Sequence, residues 1–379
     1  MYKDIVRFIR NIYGGRKTIP LHEPCFSGRE KIYVSDTIDT GFVSSVGEYV
    51  NRFERDIVAF CGAKFAVATM NGTSALHIAL KLSGTGNGDE VLTQPLTFVA
   101  TANAISYTGA LPVFIDVDRD TLGLSSEKLA DFLKENSVLR KGGAFNRKTG
   151  RRISACVPMH TFGHPCRIEE IAAICMKYRI PLFEDAAESI GSLYKGKHTG
   201  LFGKAGVLSF NGNKIITTGG GGMIITDDAN FAKRAKHITT TAKIPHKWEY
   251  VHDETGYNYR LPNINAALGC AQLEQLEGFL RGKRRLAGTY AAYFRTAGIP
   301  FVLEPEHARS NYWLNAILLK NRTDRNKFLV HSNSNGVMTR PAWRLMNKLS
   351  MYRACQCGDL ENASWLEDRI VNIPSSVTK

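Results

Sequence analysis

From Lys64 the chain alternates short apolar runs of β type with longer runs in which apolar positions recur at helical spacing. The runs Phe65 to Thr69, Glu90 to Gln94, Val113 to Asp116, Ile153 to His160, Pro181 to Asp185, Gly206 to Phe210 and Met223 to Thr226 read as strands. Helices are expected between them at Ser74 to Leu82, Phe98 to Tyr107, Ser126 to Asn136 and Ile168 to Tyr178. Such alternation predicts an α/β fold, with a three-layer α/β/α domain around a mainly parallel sheet. Ahead of it, residues 1–50 are punctuated by Pro20, Pro24, Gly28, Gly41 and Gly47 and read as an N-terminal arm with a short helix at Glu30 to Thr40. An amphipathic helix, Asn51 to Cys61, follows with Phe53, Ile57, Val58 and Phe60 on its apolar face. The alternation stops near His237, and Thr239 to Tyr259 is irregular and aromatic. A long amphipathic helix from Asn263 to about Phe294 then bridges to a smaller C-terminal α/β domain. The expected organisation is an arm (1–50), a large domain (51–262) and a small domain (263–379).

Composition narrows the class. The chain has 379 residues, 44% hydrophobic and 22% charged, as in soluble globular proteins. Its eight cysteines show no metal or disulfide spacing, which predicts a reducing, cytoplasmic setting and no metal site. No apolar run approaches the roughly 18 residues of a membrane span, so no membrane partner is expected. The net charge of +14 fits either nucleic acid or a small polyanionic substrate. Much of it lies in Lys134, Arg140, Lys141, Arg147, Lys148, Arg151 and Arg152, in or beside an insertion, Ser137 to Arg152, that reads as an exposed hairpin or loop. With no helix-turn-helix, zinc-finger or ribonucleoprotein motif, nucleic acid is not expected. A phosphate-bearing small molecule accounts for the charge equally well.

Candidate chemistry collects at strand ends, where open α/β sheets bind their ligands. Met70-Asn-Gly-Thr-Ser-Ala75 leads from a strand into a helix, and its free N–H groups and hydroxyls suit a phosphate. An ordinary helix cap reads the same way, and the turn lacks both the Walker spacing and the G-x-G-x-x-G pattern of nucleotide sites. In Gln94-Pro-Leu-Thr-Phe-Val-Ala-Thr101, Phe98 is placed to lie against an aromatic ring or to serve as core. Glu184-Asp-Ala-Ala-Glu-Ser-Ile-Gly191 sets Asp185 and Glu188 at the end of an apolar strand, where carboxylates are costly unless they meet a positive group. A protonated pyridine nitrogen is one such group; a cap or ion pair is another. Ser209-Phe-Asn-Gly-Asn-Lys-Ile-Ile-Thr-Thr-Gly-Gly-Gly-Gly222 holds Lys214 on a short turn among small residues. A solvated turn lysine looks the same, but so does one that forms a Schiff base with an aldehyde cofactor. A phosphate cradle, a stacking ring, a pyridinium partner and such a lysine together describe pyridoxal phosphate.

With these residues and Gly256-Tyr-Asn-Tyr-Arg260, in this order and at similar intervals, the chain resembles the sugar aminotransferases of the DegT/DnrJ/EryC1/StrS family over nearly its whole length. Val157-Pro-Met-His-Thr-Phe-Gly-His-Pro165 and Met338-Thr-Arg-Pro-Ala-Trp-Arg-Leu-Met346 resemble its members acting on UDP-2-acetamido-2,6-dideoxy-4-hexuloses, on the way to bacillosamine or legionaminic acid. The resemblance implies a fold-type I transferase dependent on pyridoxal 5′-phosphate. Lys214 would bond the cofactor and shuttle the proton, and Asp185 would face the ring nitrogen. Phe98 would stack on the ring, Glu188 (often Gln in relatives) would neighbour its hydroxyl, and Gly72, Thr73 and Ser209 would hold the phosphate. Asn258 would reach the phosphate in a neighbouring subunit, which implies a homodimer with shared active sites. The implied reaction is a ping-pong transfer of the amino group of L-glutamate to C4 of a UDP-linked 4-keto-6-deoxy-N-acetylhexosamine, for surface-glycan amino sugars. Ser44, Ser45, His160, Arg260, Tyr312 and Arg340 are the candidate substrate contacts. His160 is equally readable as a strand-end histidine satisfied by backbone. The alternatives are a GDP- or dTDP-linked keto sugar, or a non-catalytic regulator that binds the cofactor. A C3 dehydratase of the family would carry histidine in place of Lys214.

Overall fold

The alternating runs build one mixed sheet in the computed structural model, which describes residues 2–377. One ladder runs Phe65–Thr69, Gly222–Thr226, Ala205–Ser209, Phe183–Asp185, and a second runs Leu111–Phe114, Glu90–Thr93, Arg152–Val157, Gly143–Asn146, Ser137–Arg140. Parallel bridges from Cys156 to Leu182 and from Met159 to Asp185 join the two. The central pairings are parallel, whereas Gly222–Thr226 lies antiparallel to both its neighbours. The parallel strands therefore present their carboxyl ends along one edge. The insertion forms the hairpin Ser137–Arg140 and Gly143–Asn146, paired onto the start of the strand at Arg152 and thus away from that edge.

Strand residues alternate between two apolar clusters, as the two-residue period requires. Ile224 and Val67 pack with Ile78 and Ala79 of helix Gly72–Leu82 on one face. Met223 and Ile225 pack with Phe53 and Ile57 of helix Glu48–Cys61 on the other. Each fully buried side chain of this size contributes about 1.5–3 kcal/mol, so the sheet is held from both sides.

Two features depart from the sequence expectation. The long helix from Asn263 is two helices, Asn263–Leu273 and Leu276–Thr296. They break where the Gln272 and Gln275 amides, at 2.7 and 2.6 Å, both donate to one oxygen of the buried Glu30 carboxylate. The first part of the expected arm is a helix, Tyr2–Ile12, whose Ile5, Val6 and Ile9 pack with Tyr290, Phe294, Phe328, Val371 and Ile373. That cluster covers the antiparallel sheet of Asn315–Leu318, Ile370–Ile373 and Arg340–Pro341. Among the described residues no helix is long and apolar enough to cross a membrane.

Candidate active site

Strand Ala205–Ser209 ends in a turn closed by Lys214 N–H donating to the Asn211 carbonyl at 2.9 Å. The turn aims Lys214 into a cavity of about 310 Å³, where its side chain is only 13% exposed. There the Lys214 Nζ lies 3.3 Å from Glu188 Oε1 and 3.9 Å from the centre of the Trp313 ring. Trp313 is fixed in turn by its Nε1–H on the Asn213 carbonyl at 2.7 Å. The other oxygen of Glu188 accepts the Phe162 N–H at 2.9 Å. Phe162 adopts a left-handed backbone, φ 57, uncommon for such a side chain; this local strain points its N–H at the carboxylate. Burial pushes the Glu188 pKa up to about 7, although the Lys214 charge pulls it down. This carboxyl, held well above the ordinary carboxylate value, lies against the amine.

Asp185 ends its strand facing the same cavity, with one oxygen accepting the Thr101 hydroxyl at 2.7 Å and the other the Ala187 N–H at 3.2 Å. Thr101 is itself held by Thr97 at 2.8 Å. These bonds fix the direction of the carboxylate. Opposite, Asn71 caps helix Gly72–Leu82 by accepting the Ser74 N–H at 2.8 Å, so the N–H groups of Gly72 and Thr73 have no acceptor within the helix. Ser209 adjoins them, since a Cβ on Gly72 would stand 3.1 Å from the Ser209 Cβ. Strand residue Gly222 passes close behind, where a Cβ would meet the Asn71 carbonyl carbon at 2.4 Å. Phe98, 51% exposed, stands at the wall with Trp343.

The structure thus brings Gly72, Thr73, Phe98, Asp185, Glu188, Ser209 and Lys214 around one space. The proposed substrate contacts are placed elsewhere. His160 is fully buried and bonded to Glu184 at 3.0 Å, because in an extended segment it faces away from its cavity-lining neighbour Met159. Tyr312, φ 51, turns its hydroxyl to the Glu304 N–H and leaves the cavity to Trp313. Arg340 donates to Asn333 and to the Thr339 carbonyl, outside the cavity. Ser45 and Arg260 line a separate cleft of about 210 Å³. Ser44 is exposed, its carbonyl accepting the Asn263 N–H; Asn258 is exposed beside Thr240. Sequence reasoning missed Thr101, Trp313 and Trp343. Thr101 carried a signal, one helical turn beyond Phe98, whereas the tryptophans carried none beyond being aromatic.

The donor set fits pyridoxal phosphate. Unpaired helix-start amides beside a serine suit its phosphate, a carboxylate fixed by a hydroxyl and an N–H suits its ring nitrogen, and a buried amine suits its aldehyde. Outside this cavity, His237, Asp253 and Glu254 come together at the surface, but Arg234 forks onto Glu254 at 2.6 and 3.0 Å.

The sequence profile of the DegT/DnrJ/EryC1/StrS aminotransferase family matches residues 24–378. The chain is 35% identical to GDP-perosamine synthase of Escherichia coli O157:H7, over 95% of this chain and 93% of that protein. It is 37% identical to the putative pyridoxal phosphate-dependent aminotransferase EpsN of Bacillus subtilis (strain 168), over 89% and 84%. The solved aminotransferase TlmJ from Streptoalloteichus hindustanus superposes with a TM-score of 0.85 at 28% identity, covering 94% of this chain and 93% of its own.

Proposed function

The chain belongs to the DegT/DnrJ/EryC1/StrS aminotransferase family and is a pyridoxal-phosphate-dependent sugar aminotransferase of fold type I; from that premise we propose that it passes the amino group of L-glutamate to C4 of a nucleotide-linked 4-keto-6-deoxy sugar. The observation that carries this reading is the Lys214 amine, enclosed between Glu188 and Trp313 in a cavity that Asp185 also faces. When bound, pyridoxal phosphate supplies a cationic ring that accepts the electron pair left on the reacting carbon. Asp185, held by Thr101, would meet the ring nitrogen and keep it protonated, while the Gly72 and Thr73 N–H groups and the Ser209 hydroxyl would hold the phosphate and Phe98 would lie against the ring. Lys214 carries a proton on Nζ to and from the substrate carbon, and Glu188, at 3.3 Å and with its pKa near neutrality, exchanges a proton with that amine.

The proposed homodimer places Asn258 of one copy at the phosphate of the other. Its support is the exposure of Asn258 together with exposed apolar side chains on the same hairpin region, Trp248 and Tyr250.

Two nucleotides have support. The resemblance of Met338 to Met346 favours a UDP-linked N-acetylhexosamine, and the identity with GDP-perosamine synthase favours a GDP-linked sugar. The test is incubation of the cofactor-loaded enzyme with glutamate and 4-keto sugars bearing UDP, GDP or dTDP. Formation of 2-oxoglutarate with one of them identifies the substrate class; none with any keto sugar overturns the reading.

A further inference from the structure

The residues assigned above leave a cationic cleft unused. Arg322, Arg325, Arg344, Lys348 and Glu367 line a concavity of about 310 Å³ together with Pro341 and Ala342. Ala342 and Arg344 face this cleft, whereas Trp343 between them lines the cavity that holds Lys214. The cleft therefore lies behind the Trp343 wall of the active site.

Its charge is poorly compensated. The Glu367 carboxylate is already engaged, by Lys348 Nζ at 2.5 Å and by the Leu345 N–H at 3.1 Å. Arg325 is 7% exposed, yet its guanidinium donates only to neutral oxygens, the Glu367 carbonyl and the Asn326 amide. Burial and the adjacent Arg322 push its pKa down, against the smaller opposing pull of Asp368 and Glu367. Arg322 has Asp368 no nearer than 3.9 Å, both well exposed, and among the described residues Arg344 makes no ion pair. Asn321 caps helix Arg322–Ser334 through the Asp324 N–H, which leaves the first amides of that helix at the start of the same lining segment. Guanidinium groups converging from separate segments suit the planar, bidentate recognition of phosphate oxygens. The volume, at the small end of ligand sites, accommodates a diphosphate group.

We propose that this cleft is a second anion site, which binds the diphosphate group of a small molecule through Arg322, Arg325 and Arg344. It is independent of which keto sugar the active site takes. Calorimetric titration of the cofactor-loaded enzyme, whose phosphate cradle at Gly72 and Thr73 is filled, with inorganic pyrophosphate and separately with UDP tests it. The variant is Arg322→Ala/Arg344→Ala, two exposed positions whose loss leaves the core and the basal amino transfer unchanged. The expected result is saturable pyrophosphate binding whose Kd rises at least about tenfold in the variant. A parallel loss for UDP makes a nucleoside diphosphate the source of the group, and a loss for pyrophosphate alone makes the source a free diphosphate. Absence of saturable pyrophosphate binding to the wild type at physiological salt, or an unchanged Kd in the variant, overturns the proposal.

Discussion

Glu188 offers a quantitative handle on the active site. Its carboxyl touches the Lys214 amine, but burial dominates and carries its pKa from 4.5 up to about 7. A carboxyl held above its ordinary value binds its proton more tightly in the folded than in the unfolded chain. Its contribution to stability is therefore complete below about pH 4.5 and is lost as pH rises through about 7. At about 1.4 kcal/mol per pH unit, the full loss is about 3 kcal/mol. Glu188→Gln has nothing to ionise. Its amide oxygen keeps the Phe162 N–H, but its NH₂ then meets Lys214, so the variant starts with a fixed penalty. The diagnostic is the pH dependence of the difference between the two proteins. Urea unfolding of the cofactor-free proteins from about pH 4 to about pH 8 should show the wild type losing about 3 kcal/mol relative to Glu188→Gln. Parallel curves across that window would refute the claim that Glu188 titrates near neutrality beside the Lys214 amine.

Lys214→Ala should abolish both amino transfer and the near-visible absorption of lysine-bound cofactor; turnover in that variant would sink the assignment of Lys214. Thr101→Val removes the hydroxyl that holds Asp185 at 2.7 Å and should cost about 1–3 kcal/mol, read as a roughly tenfold or greater fall in kcat with the fold intact by circular dichroism. Gly222→Ala places a methyl 2.4 Å from the Asn71 carbonyl carbon, so the backbone must move; a loss of about 1–3 kcal/mol in stability and weaker cofactor retention in equilibrium dialysis are expected. On the proposed shared-site homodimer, coexpression of Lys214→Ala with Asn258→Ala should yield activity above that of either variant alone, because one site of a mixed dimer would regain both residues. Activity no higher than the sum of the separate variants would count against shared sites.

The parts of the site that were legible in the sequence share one property. Asn71-Gly-Thr, Asp185 and Lys214 each sit where an apolar strand stops and small residues follow, and local backbone chemistry there limits what the side chains do. The contacts that were not legible depend on which way a side chain points within an extended or kinked segment. His160 against Met159, and Tyr312 against Trp313, are decided by alternation and by a left-handed backbone that neither spacing nor composition reveals. In both pairs the polar residue was the expected ligand and its apolar neighbour occupies the cavity wall. The strands of the sheet were readable because burial on both faces leaves near-continuous apolar runs. The break at Gln275 was not, because the apolar face of the two helices continues across it and the side chains at the break are engaged by a distant carboxylate, Glu30.

The helix Tyr2–Ile12 packs on residues drawn from the last quarter of the chain, Tyr290 to Ile373. During synthesis its apolar face emerges well before these partners, so this segment must wait, uncovered, until they have been made. The unit containing the antiparallel sheet cannot close around its core as a purely C-terminal fragment. A leader or tag fused before Tyr2 bears on how the opposite end of the chain folds, and deletion of the first dozen residues should release an aggregation-prone C-terminal half while the sheet that carries Lys214 still forms.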